Sequence, residues 1–347
     1  MKVRQTLFRN PSVWSDKSGV ALIMVLWVLA VLTVIALSFS FSVRVDTHST
    51  MAFKEEAEKE FLAEAGIERG IAELFYRSAN RDQRVIIEGM ETWKADGTPY
   101  EVDADTGYYT VSIIDEAGKV DINTTPDIIL RNLLRNLDIE PDAIDIIVDS
   151  IKDWKDGDDL HRLHGAESDY YMSLPNPYRA KDAPFDTLEE LLHVRGVTSG
   201  ILYGDRKTKG LMDFITVSAR TDKINLNAAP GEVLTAIPGI TPEIADEIIN
   251  LRQVKEINFL QEVKGIHENR AVVIDHYAGT EGAGTFSIVS AGYKRNKKSG
   301  YGIKVVVSLT GDSSYEYLYY RKGVALFQDG KPSMSPLSGN QGSGEVL

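Results

Sequence analysis

The sequence predicts an α+β fold in which a long N-terminal helix packs on an antiparallel sheet and a large all-α domain is inserted into the sheet region. An uncharged run over residues 20–43 leads into an Ala-, Glu- and Leu-rich segment that contains no proline. Short alternating segments at 84–120, and again at 284–322, are typical of strands, with about 150 helical residues between them. The simplest arrangement is one sheet completed from both sides of a helical insertion.

Composition limits the classes of function. The chain has 347 residues, 43% of them hydrophobic and 26% charged, which is typical of a globular protein with two or three modules. The formal net charge of −13 argues against nucleic acid as the main partner, because phosphate binding needs clustered Lys and Arg. The lack of cysteine excludes disulfides and thiol nucleophiles. The G-x-S-x-G, P-loop and H-E-x-x-H motifs are also absent, so the sequence does not indicate an enzyme.

The uncharged run extends from Val20 to Val43. As a helix it would be about 36 Å long, enough to cross a hydrocarbon core of about 30 Å, whereas a secretory signal has an apolar run of only about 7–15 residues. Composition therefore favours a single-span membrane anchor over a cleaved signal peptide. By the positive-inside rule, the basic residues before the run place the N-terminus in the cytoplasm. They are Lys2, Arg4, Arg9 and Lys17.

The helix is expected to continue beyond the membrane. Apolar residues recur at four-residue spacing and then at Ile71 and Leu74; the spaced residues are Phe53, Ala57, Phe61 and Ala65. We therefore predict one continuous helix of roughly 55 residues, whose second half packs on a soluble domain. The tail at 328–347 is rich in Ser, Gly and Pro and is predicted to be disordered.

The helical block contains internal repeats. The segment GKVDINTTP at 118–126 matches DKINLNAAP at 222–230, with a proline expected at the first helical position of each copy. FDTLEELLHVRGV at 185–197 similarly resembles NFLQEVKGI at 258–266. In VLTAIPGITPEIADEIINLR, Gly239 is predicted to end one helix and Thr241 to cap the next, which is the pattern of a helix–hairpin–helix motif. Residues 211–270 contain 9 acidic and 6 basic residues, so a structural or protein-contact role is favoured over DNA binding.

The densest acidic cluster lies in DSIKDWKDGDDLHRLHGAESDYY, at 149–171. Asp149, Asp153 and Asp156 fall on one helix face, and Asp158, Asp159, Glu167 and Asp169 follow in a glycine-containing loop. Hard oxygen ligands in a loop that can wrap suit Ca²⁺, although the EF-hand order is absent. The alternative is a solvated acidic loop. His161 and His164 lie nearby, but two histidines three residues apart are a weak zinc signal.

A resemblance to a known family rests on several of these segments. A cut after Gly19 would leave Val20 as the new N-terminus with the apolar helix retained, which resembles the type IV prepilin pattern. In that pattern a membrane peptidase removes the leader and methylates the new amine, here that of Val20. Most pilins and pseudopilins have Glu at the fifth mature position, where this chain has Met24. The family that characteristically lacks this Glu is general secretion pathway protein K, a minor pseudopilin of type II secretion.

Further motifs resemble the same family, in its order, over residues 18–325. They are GVALIMVLWVLAVL, DEAGKVDINTTP, IKDWKDGDDLHRLHGAESDYYMSLPNPYRAKDAPFDTLEELLHVRGV and DFITVSARTDKINLNAAPGEVLTAIPG. The resemblance implies a type IV pilin-like fold with a large inserted all-α domain of helix–hairpin–helix, SAM-like repeats. The predicted domains are a cleaved leader at 1–19, a transmembrane part at 20–43, a pilin-like domain at 44–120 and 276–327, the inserted domain at 121–275 and a disordered tail at 328–347.

The implied function is not enzymatic. Members of this family cap the tip of the periplasmic pseudopilus and help to initiate its assembly, and the filament drives folded proteins through the outer-membrane secretin. The implied partners are the I and J minor pseudopilins, the major pseudopilin, the prepilin peptidase, the inner-membrane assembly platform and the secretin. The protein would lie in the inner membrane with its soluble domain in the periplasm. The alternative is a membrane-anchored extracytoplasmic DNA-binding protein of a competence-type system.

Two sites take their meaning from the resemblance. In a pilus, Glu at the fifth position can pair with the terminal amine of the neighbouring subunit, and burying this carboxylate without a partner would cost several kcal/mol. A subunit at the tip has no neighbour above it to supply that amine. The apolar Met24 therefore indicates a tip position. Structures in the family bind calcium, which implies calcium here. The implied ligands are Asp153, Asp156, Asp158, Asp159 and Glu167.

Overall fold

The computed structural model describes residues 17–79, 93–204, 208–295, 299–311 and 314–324, with side chains from residue 20 onward. The predicted strand at 84–90, most of the predicted leader and the tail at 328–347 lie outside these ranges. In chain order the elements are α1 Lys17–Ala79, β1 Asp96–Ala104, β2 Gly107–Asp115, β3 Val120–Asp121, α2 Asp127–Asn136, α3 Pro141–Lys155, α4 Ser168–Met172, α5 Ser199–Tyr203, β4 Ile215–Thr216, β5 Ile224–Asn225, α6 Gly231–Leu234, α7 Pro242–Val254, α8 Glu268–Asp275, β6 Ala278–Gly279, β7 Thr285–Lys294, β8 Tyr301–Leu309 and β9 Tyr315–Val324.

The chain divides into two units, one ending at Glu56 and the other beginning at Ala57. The described part of the first unit is α1 up to Glu56, and its side chains are exposed from Val20 to Lys54. Within the described residues, α1 is the one helix long and apolar enough to cross a membrane. The prediction of a single continuous helix is confirmed, and at 63 residues α1 is somewhat longer than expected.

The second unit is built on a five-stranded antiparallel sheet in the order β1-β2-β7-β8-β9. The strands on either side of the helical module pair directly, with Asp115 of β2 opposite Phe286 of β7. The prediction that strands from both sides of an insertion complete one sheet is therefore confirmed.

The C-terminal part of α1 covers one face of this sheet. Two glycines allow the close approach, since a Cβ at Gly66 would lie 2.1 Å from Ser290 Oγ and one at Gly70 would lie 3.0 Å from a methyl group of Ile288. The core between helix and sheet consists of buried aliphatic side chains. Such protein interiors are packed as densely as organic crystals. They include Leu62, Ala63, Ile67, Ile71, Leu74, Val111, Ile113, Ile288, Ile303, Val305 and Val307.

The helical face that packs differs in part from the predicted one. Phe61 is 68% exposed and Ala65 is also exposed, whereas the adjacent Leu62 and Ala63 are buried. The cause is geometric: a four-residue step rotates about 40° beyond a full turn at 3.6 residues per turn, so a stripe at this spacing winds around the helix. The later members of the predicted pattern, Ile71 and Leu74, do face the sheet.

The helical module runs from β3 to β6, a few residues beyond the predicted boundaries at each end. It has its own core, separate from that of the sheet, in which Leu133, Ile147, Leu191, Phe214 and Ile248 are fully buried. Short 3-10 helices complete it, at Leu188–His193, Leu211–Asp213 and Leu260–Glu262.

The module is a structural duplication. The first copy opens with β3 and closes with β4 parallel to it, and the second copy opens with β5 and closes with β6 parallel to it. In each copy a helix begins directly after a proline. This proline is the N-cap residue, whereas the sequence predicted it at the first helical position. Each also has a glycine with positive φ before its last helix, Gly196 at 88° and Gly265 at 91°. The repeats in the sequence thus correspond to repeated structure.

One asparagine in each copy clamps a distant backbone segment. Asn123 accepts from Phe185 N at 2.8 Å and donates to Phe185 O at 3.0 Å. Asn227 makes the same pair of bonds with Ile257, both at 2.9 Å. Because the side-chain amide has one donor face and one acceptor face, it closes a two-point link that an Ala could not.

The two copies differ chiefly in one segment. Residues 156–184 separate α3 from Phe185, whereas only residues 255–256 separate α7 from Ile257. The acidic segment of the sequence is therefore an insertion carried by the first copy alone.

A buried carboxylate joins the module to the sheet. Glu116 is 3% exposed and accepts from Lys119 Nζ at 2.6 Å, from Ser287 Oγ at 2.5 Å and from Thr216 Oγ1. Burial raises the pKa of Glu116, but the ammonium groups of Lys119 and Lys304 together with these hydrogen bonds lower it overall. The carboxylate therefore stays charged and holds β7 and β4 to one point.

Candidate cation-binding site

The candidate site begins at the C-terminal end of α3. Asp153 lies on the last turn of the helix with a fully buried side chain, and Asp156 is the C-cap residue. The following loop returns to the helix and ends at Glu167, the N-cap residue of α4, which is only 2% exposed. Acidic side chains at a helix C-terminus are unfavourable next to the helix dipole, so this arrangement requires compensating positive charge.

Arg162 supplies part of that charge from within the loop. Its Nη1 lies 2.6 Å from Asp153 Oδ1 and 2.5 Å from Asp156 Oδ2, and its backbone N–H donates to Asp153 Oδ2 at 3.3 Å. The loop can approach this closely because residue 165 is glycine: a Cβ there would lie 1.8 Å from Asp153 Oδ2. Arg195 fixes the same turn by donating to Gly165 O at 3.0 Å.

Three carboxyl oxygens remain without any donor. Both oxygens of Glu167 and Oδ1 of Asp156 are buried and make no hydrogen bond within the described residues. Burial, together with the nearby charges of Asp153 and Asp156, raises the pKa of Glu167 to about 7. Buried polar atoms are nearly always paired, and three such acceptors on two neighbouring carboxylates form a set of donors suited to a cation.

Asp156, Asp158 and Glu167 each place one carboxylate oxygen in a common group, and these three oxygens lie within 4.8 Å of one another. Hard oxygen donors at this separation match calcium, which takes 6–8 oxygens at about 2.3–2.6 Å, with backbone carbonyls and water completing the shell. The residues present therefore fit a calcium ion.

The five expected calcium ligands are divided by the structure. Asp156, Asp158 and Glu167 come together, while Asp153 is paired to Arg162 beneath them. Asp159 is exposed and lies outside the group. The two histidines pair separately, His161 with Asp169 at 2.9 Å and His164 with Asp149 at 3.4 Å, and neither joins the carboxylate group.

Arg162 and Gly165 were not singled out from the sequence. Arg162 is one basic residue inside an acidic run, which signals a local ion pair but not its partner. The requirement for glycine at 165 arises from the distant Asp153 side chain and becomes visible only once the loop has folded back.

The expected processing site lies at the start of α1. Gly19 and Val20 belong to its first turn, and Val20 and Met24 are 56% and 64% exposed. Residues 1–16 of the expected leader lie outside the described residues.

Comparison with known proteins points to one family. A family model described as type II secretion system protein K matches residues 113–203, and a helix–hairpin–helix motif model matches residues 220–274. The two matches coincide with the first and second copies of the duplicated module.

Curated relatives carry the same description. Type II secretion system protein K of Pseudomonas aeruginosa is 27% identical over 254 residues, which cover 68% of this chain and 72% of that protein. The protein of the same name from Pectobacterium carotovorum is 28% identical over 202 residues, covering 54% of this chain and 60% of that protein.

A solved structure shares the fold. The crystal structure of the GspK-GspI-GspJ complex from the type 2 secretion system of enterotoxigenic Escherichia coli aligns with a TM-score of 0.52 at 16% identity. The alignment covers 81% of this chain and 99% of the matched chain.

Proposed function

The chain belongs to the family of type II secretion system protein K, and we propose that it is a minor pseudopilin that caps the tip of the periplasmic pseudopilus and helps to initiate its assembly. The proposal includes an inner-membrane location, with α1 as the anchor and the sheet and module in the periplasm. The filament would drive export of folded proteins through the outer-membrane secretin. The chain acts as an assembly component and not as an enzyme.

The observation that carries the tip assignment is the bulk of the helical module. The chain leaves the sheet after Asp115 and returns at Thr285, so the module is joined to a pilin-like core at the ends of two neighbouring inner strands, β2 and β7. Subunits of a tightly wound shaft have neighbours on both sides, and an addition of this size would collide with them. At the end of a filament the same bulk projects freely. Met24 supports this position, since an apolar residue needs no partner amine from a subunit above.

Processing would create the mature N-terminus. We propose cleavage after Gly19 by the prepilin peptidase and N-methylation of Val20. Mass spectrometry of the protein recovered from membranes tests this directly: the expected chain begins at methylated Val20. A chain that begins at Met1, or beyond Val43, would remove the pseudopilin assignment.

The proposed partners are the I- and J-type minor pseudopilins, with the major pseudopilin, the assembly platform and the secretin further along the pathway. The matched structure contains chains of the I and J types, which supports this choice. Co-purification of the full chain with its I and J counterparts is the test. The expected result is a stable ternary complex, together with loss of protein secretion when the gene is deleted. Normal secretion in the deletion strain would refute the assignment.

We further propose a calcium ion held by Asp156, Asp158 and Glu167, with Asp153 and Arg162 beneath it. The support is the set of orphaned oxygens on Glu167 and Asp156. The ion would supply the positive charge that these carboxylates lack and would fix the inserted segment on α3. Its role is structural, because binding only to the folded state stabilises that state.

The match to a helix–hairpin–helix motif model favours DNA binding as a second candidate function. A salt-dependent affinity of the protein for duplex DNA would favour it, and absence of binding at low salt would dismiss it.

A further inference from the structure

The outer edge of β9 is unpaired among the residues that the structure describes. β9 is the last strand of the sheet, paired on one side with β8, and within the described residues no strand pairs with its other side. An unpaired strand edge offers a row of backbone N–H and C=O groups to any extended segment that can align with it.

This edge carries little charge over most of its length. Native sheets blunt their edges with charge or proline, but residues 315–320 read YEYLYY, with Glu316 as the single charge. Tyr317, Leu318 and Tyr320 are 39%, 40% and 44% exposed. Val306 faces Tyr319 and Val307 faces Tyr317, which leaves Leu318 as the extra residue of a bulge.

The tyrosines that face α1 form a continuous row. The ring centroids of Tyr315 and Tyr317 are 5.3 Å apart, those of Tyr317 and Tyr320 are 5.7 Å apart, and both pairs meet edge to face. This row presents ring faces beside the open edge, and ring faces attract cations.

A row of carboxylates on α1 runs beside the tyrosines. Glu60, Glu64 and Glu68 are spaced four residues apart and so share one face of the helix. Partial burial raises the pKa of Tyr320, and the carboxylates of Glu64, Glu60 and Glu68 raise it further against the opposing charge of Lys322. The ammonium of Lys322 contacts members of both rows, so carboxylates and rings lie close enough to act on one ligand.

Lys322 shows what this surface binds. Its Nζ lies 2.6 Å from Glu60 Oε1, 2.7 Å from Glu64 Oε1 and 5.9 Å from the centroid of the Tyr320 ring. One ammonium thus pairs with two of the three carboxylates in the row, which leaves negative charge in excess toward Glu68.

We propose that the open edge of β9 is a docking site for a partner protein, which adds an extended strand carrying Lys or Arg at alternate positions. The backbone of the incoming strand would pair with β9, as in other cases of strand addition. Alternate side chains of a strand point to the same face, so its basic groups would reach Glu64, Glu68 and the tyrosine row together. The inference goes beyond the tip assignment and does not depend on it.

A pair of synthetic peptides tests the proposal against the full-length chain in detergent micelles. The probe is a blocked peptide of sequence Lys-Val-Lys-Thr-Lys-Val-Lys, and its partner has the same sequence with N-methyl groups on alternate backbone nitrogens. Both peptides have the same charge, but the methylated one cannot form a ladder of backbone hydrogen bonds. The readout is fluorescence anisotropy, together with hydrogen exchange of the β9 amides.

Strand addition predicts that the unmethylated peptide binds about tenfold or more tightly than the methylated one, because several backbone hydrogen bonds are at stake. It also predicts new exchange protection at residues 316–320. Equal affinity of the two peptides would show attraction without strand pairing and would overturn the proposal. Absence of binding by either peptide at low salt would overturn it as well.

Charge variants locate the site. Glu64→Gln and Glu68→Gln are each expected to weaken binding by about two- to fivefold, the range for exposed ion pairs. The matched control is the double variant Glu101→Gln and Asp103→Asn, which removes two exposed carboxylates from β1 at the opposite edge of the same sheet. The control should bind like the unmodified chain. An equal loss in the control would indicate attraction to the net negative charge and refute a site at β9.

Discussion

Glu167 gives the sharpest test of the cation site, because replacing it by Gln should stabilise the metal-free fold and also weaken the stabilisation by calcium. The folded-state pKa is about 7, against 4.5 for the free side chain. Because the folded-state pKa is raised, the carboxyl costs no stability below pH 4.5, where it is protonated in both the folded and the unfolded state. The free energy of unfolding then falls as the pH rises through the folded-state pKa. At 1.36 kcal/mol per pKa unit, the ionised group destabilises the metal-free fold by roughly 3 kcal/mol at pH 8.

In chelator at pH 8, Glu167→Gln is therefore expected to melt roughly 5–10 °C above the unmodified protein. At pH 5 the difference should shrink to about 1 kcal/mol, because the carboxyl is then largely protonated in the folded state. The assay is a thermal melt followed by tryptophan fluorescence, to which Trp154 contributes from beside the site.

Calcium should narrow this difference in stability by more than about 1.3 kcal/mol. At a concentration 100 times its dissociation constant, a ligand adds about 2.7 kcal/mol to the unmodified protein, and the variant, with one carboxylate fewer, should gain less than half of that. Asp159→Asn is the matched control, since Asp159 is exposed and outside the carboxylate group. A melting temperature of the unmodified protein that is insensitive to both calcium and chelator would refute the site, as would a variant that is less stable in chelator.

Three further predictions concern packing, the duplicated module and the membrane helix. Gly66→Ala should destabilise the protein by about 1–3 kcal/mol in urea unfolding despite its gain in helix propensity, whereas Gly231→Ala, whose Cβ would meet nothing closer than 3.6 Å, should be neutral or stabilising. Asn123→Ala and Asn227→Ala should each cost about 2–4 kcal/mol by the same assay, because each removes two hydrogen bonds to backbone groups; a cost below about 0.5 kcal/mol would disprove the clamp role. Met24→Glu places a carboxylate in the apolar helix and should reduce incorporation at the filament tip, measured by pull-down of the I and J partners, and unchanged recovery would contradict the reading of this position.

The local features of the fold were readable from the sequence because they depend on neighbouring residues. The apolar run and the absence of proline predict α1, and the Pro-Gly hairpin predicts α7 with Thr241 as its cap, which the structure confirms. The repeated Asn-x-x-Pro motif revealed the two copies. The structural role of the asparagine could not be predicted from the motif, because Asn227 and Asn123 bind backbone segments 30 and 62 residues further along the chain.

The features that were missed depend on distant contacts or on small geometric offsets. The packed face of α1 is set by two glycines against Ser290 and Val111, and the regular spacing of Phe53 to Ala65 carries no information about those contacts. At the candidate cation site, composition singled out the acidic segment, in which the structure brings three of the expected carboxylates together. The separation of Asp153 from the others follows from Arg162, whose position depends on the path of the loop.

The pairing of β2 with β7 also has a consequence for the origin of the protein. The chain leaves the sheet at Asp115 and comes back beside the same point, opposite Phe286, and each copy of the module likewise starts and finishes on adjacent parallel strands. Excision of the whole module would therefore leave two antiparallel strands with neighbouring ends, which a short turn could close as a hairpin. An ancestral pilin could have gained the module as one insertion and doubled it later, without a single change in the order of its strands.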